Sequence, residues 1–346
     1  MPTIAPTDLA CAAAPTLDPV DVAVHLMAAD STSGREAPAV DRMADLLAAR
    51  GWRVVRIPVG PGRDDLFAEG DAPARVTLST HLDTVPPFLA PRVAGDRLYG
   101  RGACDAKGIA AAMVCAAERL RAAGVPVGLL FVVGEETAHD GAHVADAARA
   151  RVAPENVVLI NGEGAQRFVL RTEGRAAHSA YPHLGRSATA HLARLLVELE
   201  TLALPTDPLL GDTTINVGAL AGGVADNVIA PWAEARCMAR LVGPAAELRE
   251  HLERWCAGRA RIEWGITVPA VHLGTVPGFR TEVVAYATDV PALTAWGTPY
   301  LFGPGSIHVA HTDDEHVDVA ELARSVDAYV RLATLALEQA AGAPAR

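Results

Sequence analysis

Residues 127–133, Val-Gly-Leu-Leu-Phe-Val-Val, form an almost wholly apolar run that ends in Gly134, Glu135 and Glu136. A strand of that composition has no polar face for water, so it belongs inside a sheet covered on both sides. The segments around it alternate in type. Helix is expected at Asp18 to Asp30, where Asp18 can cap and Pro19 suits the first turn, and again at Glu36 to Arg50, closed by Gly51. Strands follow at Trp52 to Val59 and Ala74 to Ser79, then helix at Lys107 to Ala123, the apolar strand, helix at Gly141 to Ala150 and strand at Asn156 to Ile160. Such alternation implies an α/β fold, a sheet with parallel members and helices on both faces.

After about residue 165 the pattern changes. A long helix at Ser187 to Leu202, strand-like segments at Thr213 to Ala219 and Ala233 to Leu241, and a helix at Pro244 to Cys256 suggest a smaller α+β unit. A short strand at Tyr300 to Phe302 and a final helix at Val319 to Leu337 return to the first character. The expected layout is one domain, 166–272, inserted into another made of 1–165 and 273–346. A chain of 346 residues is long enough for two such cores.

Charge excludes one class of partner. With 41 acidic and 30 basic side chains, the formal charge of −11 repels phosphate backbones, so nucleic acid is not expected. Five scattered cysteines without a C-x-x-C pair argue against a disulfide framework and suit a reducing cytoplasm. Residues 1–19 lack the basic and apolar segments of a secretion signal, and no uncharged apolar stretch is long enough to cross a membrane, so no membrane partner is expected.

Four polar clusters fall where strands should end. In Ser79-Thr80-His81-Leu82-Asp83, alternation puts His81 and Asp83 on one side, where Asp83 can accept from the ring nitrogen that holds no metal. Read alone, this is equally a surface turn. In Gly100-Arg101-Gly102-Ala103-Cys104-Asp105-Ala106-Lys107-Gly108, Asp105 opens a helix and could be no more than its cap. Glu135 and Glu136 repel each other unless a cation holds them, and they end a buried strand, where α/β proteins place ligands; a plain acidic loop is the alternative. The fourth cluster, Gly303-Pro304-Gly305-Ser306-Ile307-His308-Val309-Ala310-His311, is a glycine-rich loop with two histidines, and a turn by itself. Whether His308 has a part is left open.

Together, from Ser31 to Glu315, these motifs resemble the family that includes acetylornithine deacetylase, succinyl-diaminopimelate desuccinylase, aminoacylase and glutamate carboxypeptidase. The resemblance implies a zinc-exopeptidase-like mixed sheet flanked by helices, with an inserted lid that makes a homodimer. It implies His81, Asp105, Glu136, Glu163 and His311 as ligands of two zinc ions, cobalt or manganese being possible replacements, with Asp105 bridging. Asp83 would orient His81, and Glu135 would be the general base. Gly174-Arg175-Ala176-Ala177-His178 resembles the lid turn whose histidine helps hold the scissile carbonyl oxygen in the partner's site. Asn227 and Arg240 resemble lid substrate contacts, and backbone amides of the loop through Gly303, Gly305 and Ser306 would bind an α-carboxylate.

The expected reaction is hydrolysis of the linear amide of an N-acyl amino acid, with a lean toward the acetylornithine deacetylase branch. A dipeptidase, a carboxypeptidase or a desuccinylase would use the same metals. One departure stands out: Glu163 is followed within about fifteen residues by His178, so roughly a strand's worth of the family's chain is missing.

Overall fold

The computed structural model describes residues 16–161, 166–208, 211–265, 267, 271–282 and 288–342. In chain order its elements begin α1 (Pro19–Met27), α2 (Ala37–Ala49), β1 (Arg53–Gly60), β2 (Arg63–Glu69), β3 (Val76–His81), β4 (Arg92–Ala94), β5 (Arg97–Tyr99), α3 (Lys107–Ala122), β6 (Val127–Val132), α4 (Asp140–Val152) and β7 (Val158–Asn161). There follow β8 (Gln166–Glu173), α5 (Ala188–Glu200), β9 (Thr206–Asp207), β10 (Gly211–Asp212), β11 (Thr214–Gly222), β12 (Trp232–Arg240), α6 (Ala245–Cys256), β13 (Arg261–Trp264), β14 (Thr298–Leu301), β15 (His316–Asp318) and α7 (Val319–Gly342).

The apolar strand β6 sits inside a six-stranded sheet of order β1-β2-β6-β3-β7-β14. Strands β6, β3, β7 and β14 run parallel, while β2 is antiparallel to both of its neighbours, so the sheet is mixed. Side chains of β6 and of Val133, which follows it, alternate between two cores. Leu129, Phe131 and Val133 pack with α1, α3 and α7, whereas Leu130 and Val132 pack with α4, Phe67 and Trp296. Helices therefore cover both faces, as the unbroken apolar run requires. Gly128 interrupts that run for a steric reason: a Cβ there would lie 2.8 Å from the Ala74 methyl and 3.1 Å from the Phe67 ring.

Helix α1 starts as expected, with Asp18 accepting from Val20 N at 2.7 Å and Pro19 in the first turn. Helix α3 is alanine-rich and buried along most of its length, which lets it lie close between the sheet and α1 and α7. Strand β7 begins two residues later than expected, at Val158, because the side chain of Asn156 is spent on Thr77, Val158 O and Trp296 O.

Between β7 and β14 the chain leaves this sheet and builds a second, antiparallel one of order β11-β12-β8-β13. Its own apolar core joins Phe168, Leu170, Leu192, Leu195, Ala235, Cys237, Leu248 and Leu252 beneath α5 and α6. A third, three-stranded sheet, β15-β5-β4, ties residues 316–318 to 92–99, next to the glycine-rich segment that precedes α3. Among the described residues no helix is long and apolar enough to cross a membrane.

Candidate metal centre

Strand β3 delivers His81 at its last residue, buried. Its Nε2 lies 3.0 Å from Asp105 Oδ1. Asp105 does not cap α3; the cap position is Ala106, without a side-chain bond. Its second oxygen instead lies 3.2 Å from His311 Nε2, and that same nitrogen is 3.1 Å from Glu136 Oε1. Two imidazoles and two carboxylates from four separate segments thus converge. Ligand atoms of His81, Asp105 and Glu136 lie within 4.8 Å of one another.

Asp83 reaches His81 from just past the strand rather than from within it. Because β3 ends at His81, Asp83 lies beyond the strand, and its main-chain carbonyl, at 3.0 Å, is the nearest acceptor for His81 Nδ1; its carboxylate is at 3.4 Å. The carboxylate has further partners. It accepts the N–H groups of Glu135 and Glu136, each at 3.1 Å, and the Ser33 hydroxyl at 2.8 Å. Asp83 therefore fixes the acidic turn as well as the imidazole. That turn depends on Gly134, at φ +77°, where a Cβ would collide with Asp140 and Arg63.

A second buried carboxylate holds the other half of the site. Glu315 Oε1 accepts from the N–H groups of Gly102 at 2.9 Å and of Cys104 and Asp105 at 3.3 Å, while Oε2 pairs with Arg101 at 2.6 Å. The segment carrying Asp105 is thereby anchored by a residue 210 positions later.

The electrostatics of this cluster call for a cation. Hydrogen bonds that Asp105 and Glu136 accept from His311 push its pKa up to about 10. Burial opposes charge on His81, yet Asp105 and Asp83 hold its pKa well above the ordinary histidine range. Burial likewise opposes ionisation of Asp105, but bonds from His311 and His81 keep its carboxyl well below the usual range. Nitrogen and oxygen donors that attract positive charge this strongly, with Asp105 turning one oxygen to each histidine, fit a divalent metal.

Glu135 differs from its neighbour. Burial, and then the nearby carboxylates of Asp289, Glu136 and Asp105, raise its pKa well above the carboxylate range against the pull of His81. Its buried Oε1 has no hydrogen-bond partner among the described residues.

The remaining expected residues are placed elsewhere. Glu163 lies outside the described residues. His178 is exposed, bonded through Nδ1 to Ala180 N at 3.2 Å and stacked edge-on near Tyr181. Asn227 is exposed, its carbonyl accepting from Ser179 N at 2.9 Å, and Arg240 ends β12 opposite Thr214. Among the described residues none of these three bonds to the cluster of this chain.

The carboxylate-binding loop is corrected in part. The Gly305 N–H is committed to Glu321 Oε1 at 3.1 Å and so is not free for a substrate in this arrangement, whereas the Ser306 hydroxyl accepts from His308 N at 3.3 Å and keeps its own proton to donate. The same loop, with Gly303, borders a cavity of about 590 Å³ that reaches Asp105. Ser33, Arg101, Glu315, His139 and Asp289 were given no role from the sequence. Their bonds span 50 to 214 positions and leave no local spacing to read.

Comparison with known proteins agrees with this architecture. The profile of peptidase family M20/M25/M40 matches residues 77–335. The chain is 37% identical to a protein of Aspergillus terreus named probable carboxypeptidase, over an alignment covering 90% of this chain and 85% of that one. An M20 family metallo-carboxypeptidase of Sulfolobus solfataricus superposes with a TM-score of 0.70 at 15% identity, covering 92% of this chain and 99% of the other. A Bacillus subtilis protein described as a dinuclear metal binding peptidase from the M20 family gives 0.62 at 16% identity, over 92% and 98% of the two chains.

Proposed function

The chain belongs to peptidase family M20/M25/M40, and from that membership we propose that it is a two-metal hydrolase of short peptides, a carboxypeptidase or dipeptidase. The observation that carries the proposal is the convergence of His81, Asp105, Glu136 and His311 beside a buried, partner-poor Glu135. The lean toward acetylornithine deacetylase gives way here, because the relative with 37% identity is named a probable carboxypeptidase. Both reactions break a linear amide, so the site chemistry is common to them.

His81, Asp105, Glu136, Glu163 and His311 would hold two zinc ions, or cobalt(II) or manganese(II), with Asp105 shared. Bound there, the metals would supply Lewis acidity to the water and to the substrate carbonyl. Glu135 takes the proton of the attacking water and delivers it to the leaving amine nitrogen. Its buried, carboxylate-rich surroundings favour holding a proton between those two events. Asp83 keeps His81 and the Glu135–Glu136 turn in register. The region 166–272 acts as a lid and dimerisation domain, through which His178 of one copy serves the other's substrate, with Asn227 and Arg240 on the lid surface.

The test is a screen of the zinc-loaded protein against a dipeptide set, peptides with a free carboxyl terminus and N-acetylornithine. Peptides should be cleaved faster, with activity abolished by a chelator and restored by zinc. Faster release of acetate from N-acetylornithine would return the deacylase reading. No cleavage of any of them by zinc-replete protein would end the hydrolase proposal.

A further inference from the structure

Behind the proposed base lies a buried pair that the mechanism above leaves unused. His139 Nδ1 is 2.9 Å from Asp289 Oδ1 and 3.9 Å from Glu135 Oε1. All three residues are nearly or wholly excluded from solvent. An ionised carboxylate only accepts, so the proton of the first contact sits on Nδ1. That N–H is bonded to Asp289, and its positive edge lies 3.9 Å from Glu135 Oε1, within reach of the charge though beyond a hydrogen bond. The oxygen facing it, Glu135 Oε1, has no other partner among the described residues.

The chain accepts two local penalties to put an imidazole there. His139 holds φ at +52°, a region that disfavours residues with a Cβ. It also occupies the cap position of α4 without capping it, where a Ser, Asp or Asn would bond the first free N–H groups. Its ring is turned instead toward Asp289, 150 positions away.

We infer that His139, held by Asp289, is a positioning residue for Glu135, its ring edge kept 3.9 Å from the inner oxygen Oε1 so that charge is favoured there and Oε2 is left to receive and return the proton. The inference rests on the reading of Glu135 as the proton-transfer residue, and the experiment separates the two. His139→Ala should lower kcat roughly ten- to a hundredfold, the usual loss for a supporting group, while KM and zinc content stay within about twofold. His139→Asn should recover most of kcat, because the Asn amide N–H can stand where Nδ1–H stands and Asn tolerates positive φ. His139→Gln should not. Asp289→Asn should follow His139→Ala, and it carries the test if the alanine variant fails to fold.

The cycle with Glu135→Gln is decisive. If His139 acts through Glu135, the double variant is no slower than Glu135→Gln alone. Full turnover in His139→Ala, additive losses in the double variant, or loss of zinc in step with kcat would overturn the inference. Full turnover in Glu135→Gln would overturn the base assignment instead. A readout without substrate comes from proton NMR: a slowly exchanging, strongly downfield His139 Nδ1–H is expected in the native protein, lost in Asp289→Asn and shifted in Glu135→Gln. Absence of that signal in the native protein would remove the His139–Asp289 bond on which the inference stands.

Discussion

Glu135 and Glu136 are chain neighbours in opposite surroundings, the first buried against Asp289 and His139, the second bonded to His311. Gln at 135 keeps the size and leaves every proposed ligand in place, so zinc should stay bound while kcat falls by the roughly 10²- to 10⁴-fold typical of a lost general base. Gln at 136 removes an anionic ligand, so one metal should bind more weakly and activity should partly return in excess zinc. Metal analysis of the two variants checks this, and zinc loss from the first but not the second would reverse the roles. At this scale much of the site was legible. His81, Asp105, Glu136 and His311 stand in short motifs where strands end, and the structure brings them together. Their supports were not legible, since the Arg101–Glu315 pair and the Ser33–Asp83 bond join distant segments that only the finished fold brings into contact.

Among the elements, those with an uninterrupted apolar or helical period were readable, β6 and α3 most of all. Strand β2 was missed because it opens on Arg63, Asp64 and Asp65, and its place comes from antiparallel pairing with β1 rather than from its own pattern. The three-residue strands β4, β5 and β15 are too short to show a period at all. Helix α3 carries a titratable probe of its own packing. Burial pushes the Cys115 thiol up to about 12 from 9.0. In the unfolded chain that thiol ionises above pH 9, whereas in the folded chain it stays protonated. The folded state then binds the extra proton, so the thiol's contribution to stability falls as pH rises from about 9 toward 12. By pH 10 the loss from this one group amounts to about 1.4 kcal/mol. Denaturant titrations between pH 8 and 10 should show a shallower alkaline decline in Cys115→Ala than in the native protein, and equal slopes would contradict the assignment.

For the molecule as a whole, the prediction concerns assembly. Strand β11 ends the second sheet with one edge unpaired among the described residues, and Leu220 on it and Val224 just after it are exposed. Pairing of two such edges about a two-fold axis would satisfy their backbone groups, and it would give His178 of each copy the other's substrate to meet. Light scattering at micromolar concentration should therefore report a dimer, and His178→Ala should lose turnover without losing zinc. A monomer with full activity would remove both ideas. The anchoring of the Asp105 segment by Glu315 bears on how the protein is born. A ribosome finishes His81, Asp105 and Glu136 long before it adds His311 and Glu315, so while the second sheet is being made the nascent chain carries an incomplete set of the proposed ligands, with the Asp105 segment still unclamped. If the cluster holds metal as proposed, its capture is a late step of biogenesis, and a chain clipped ahead of residue 311 should bind metal more weakly than the full chain.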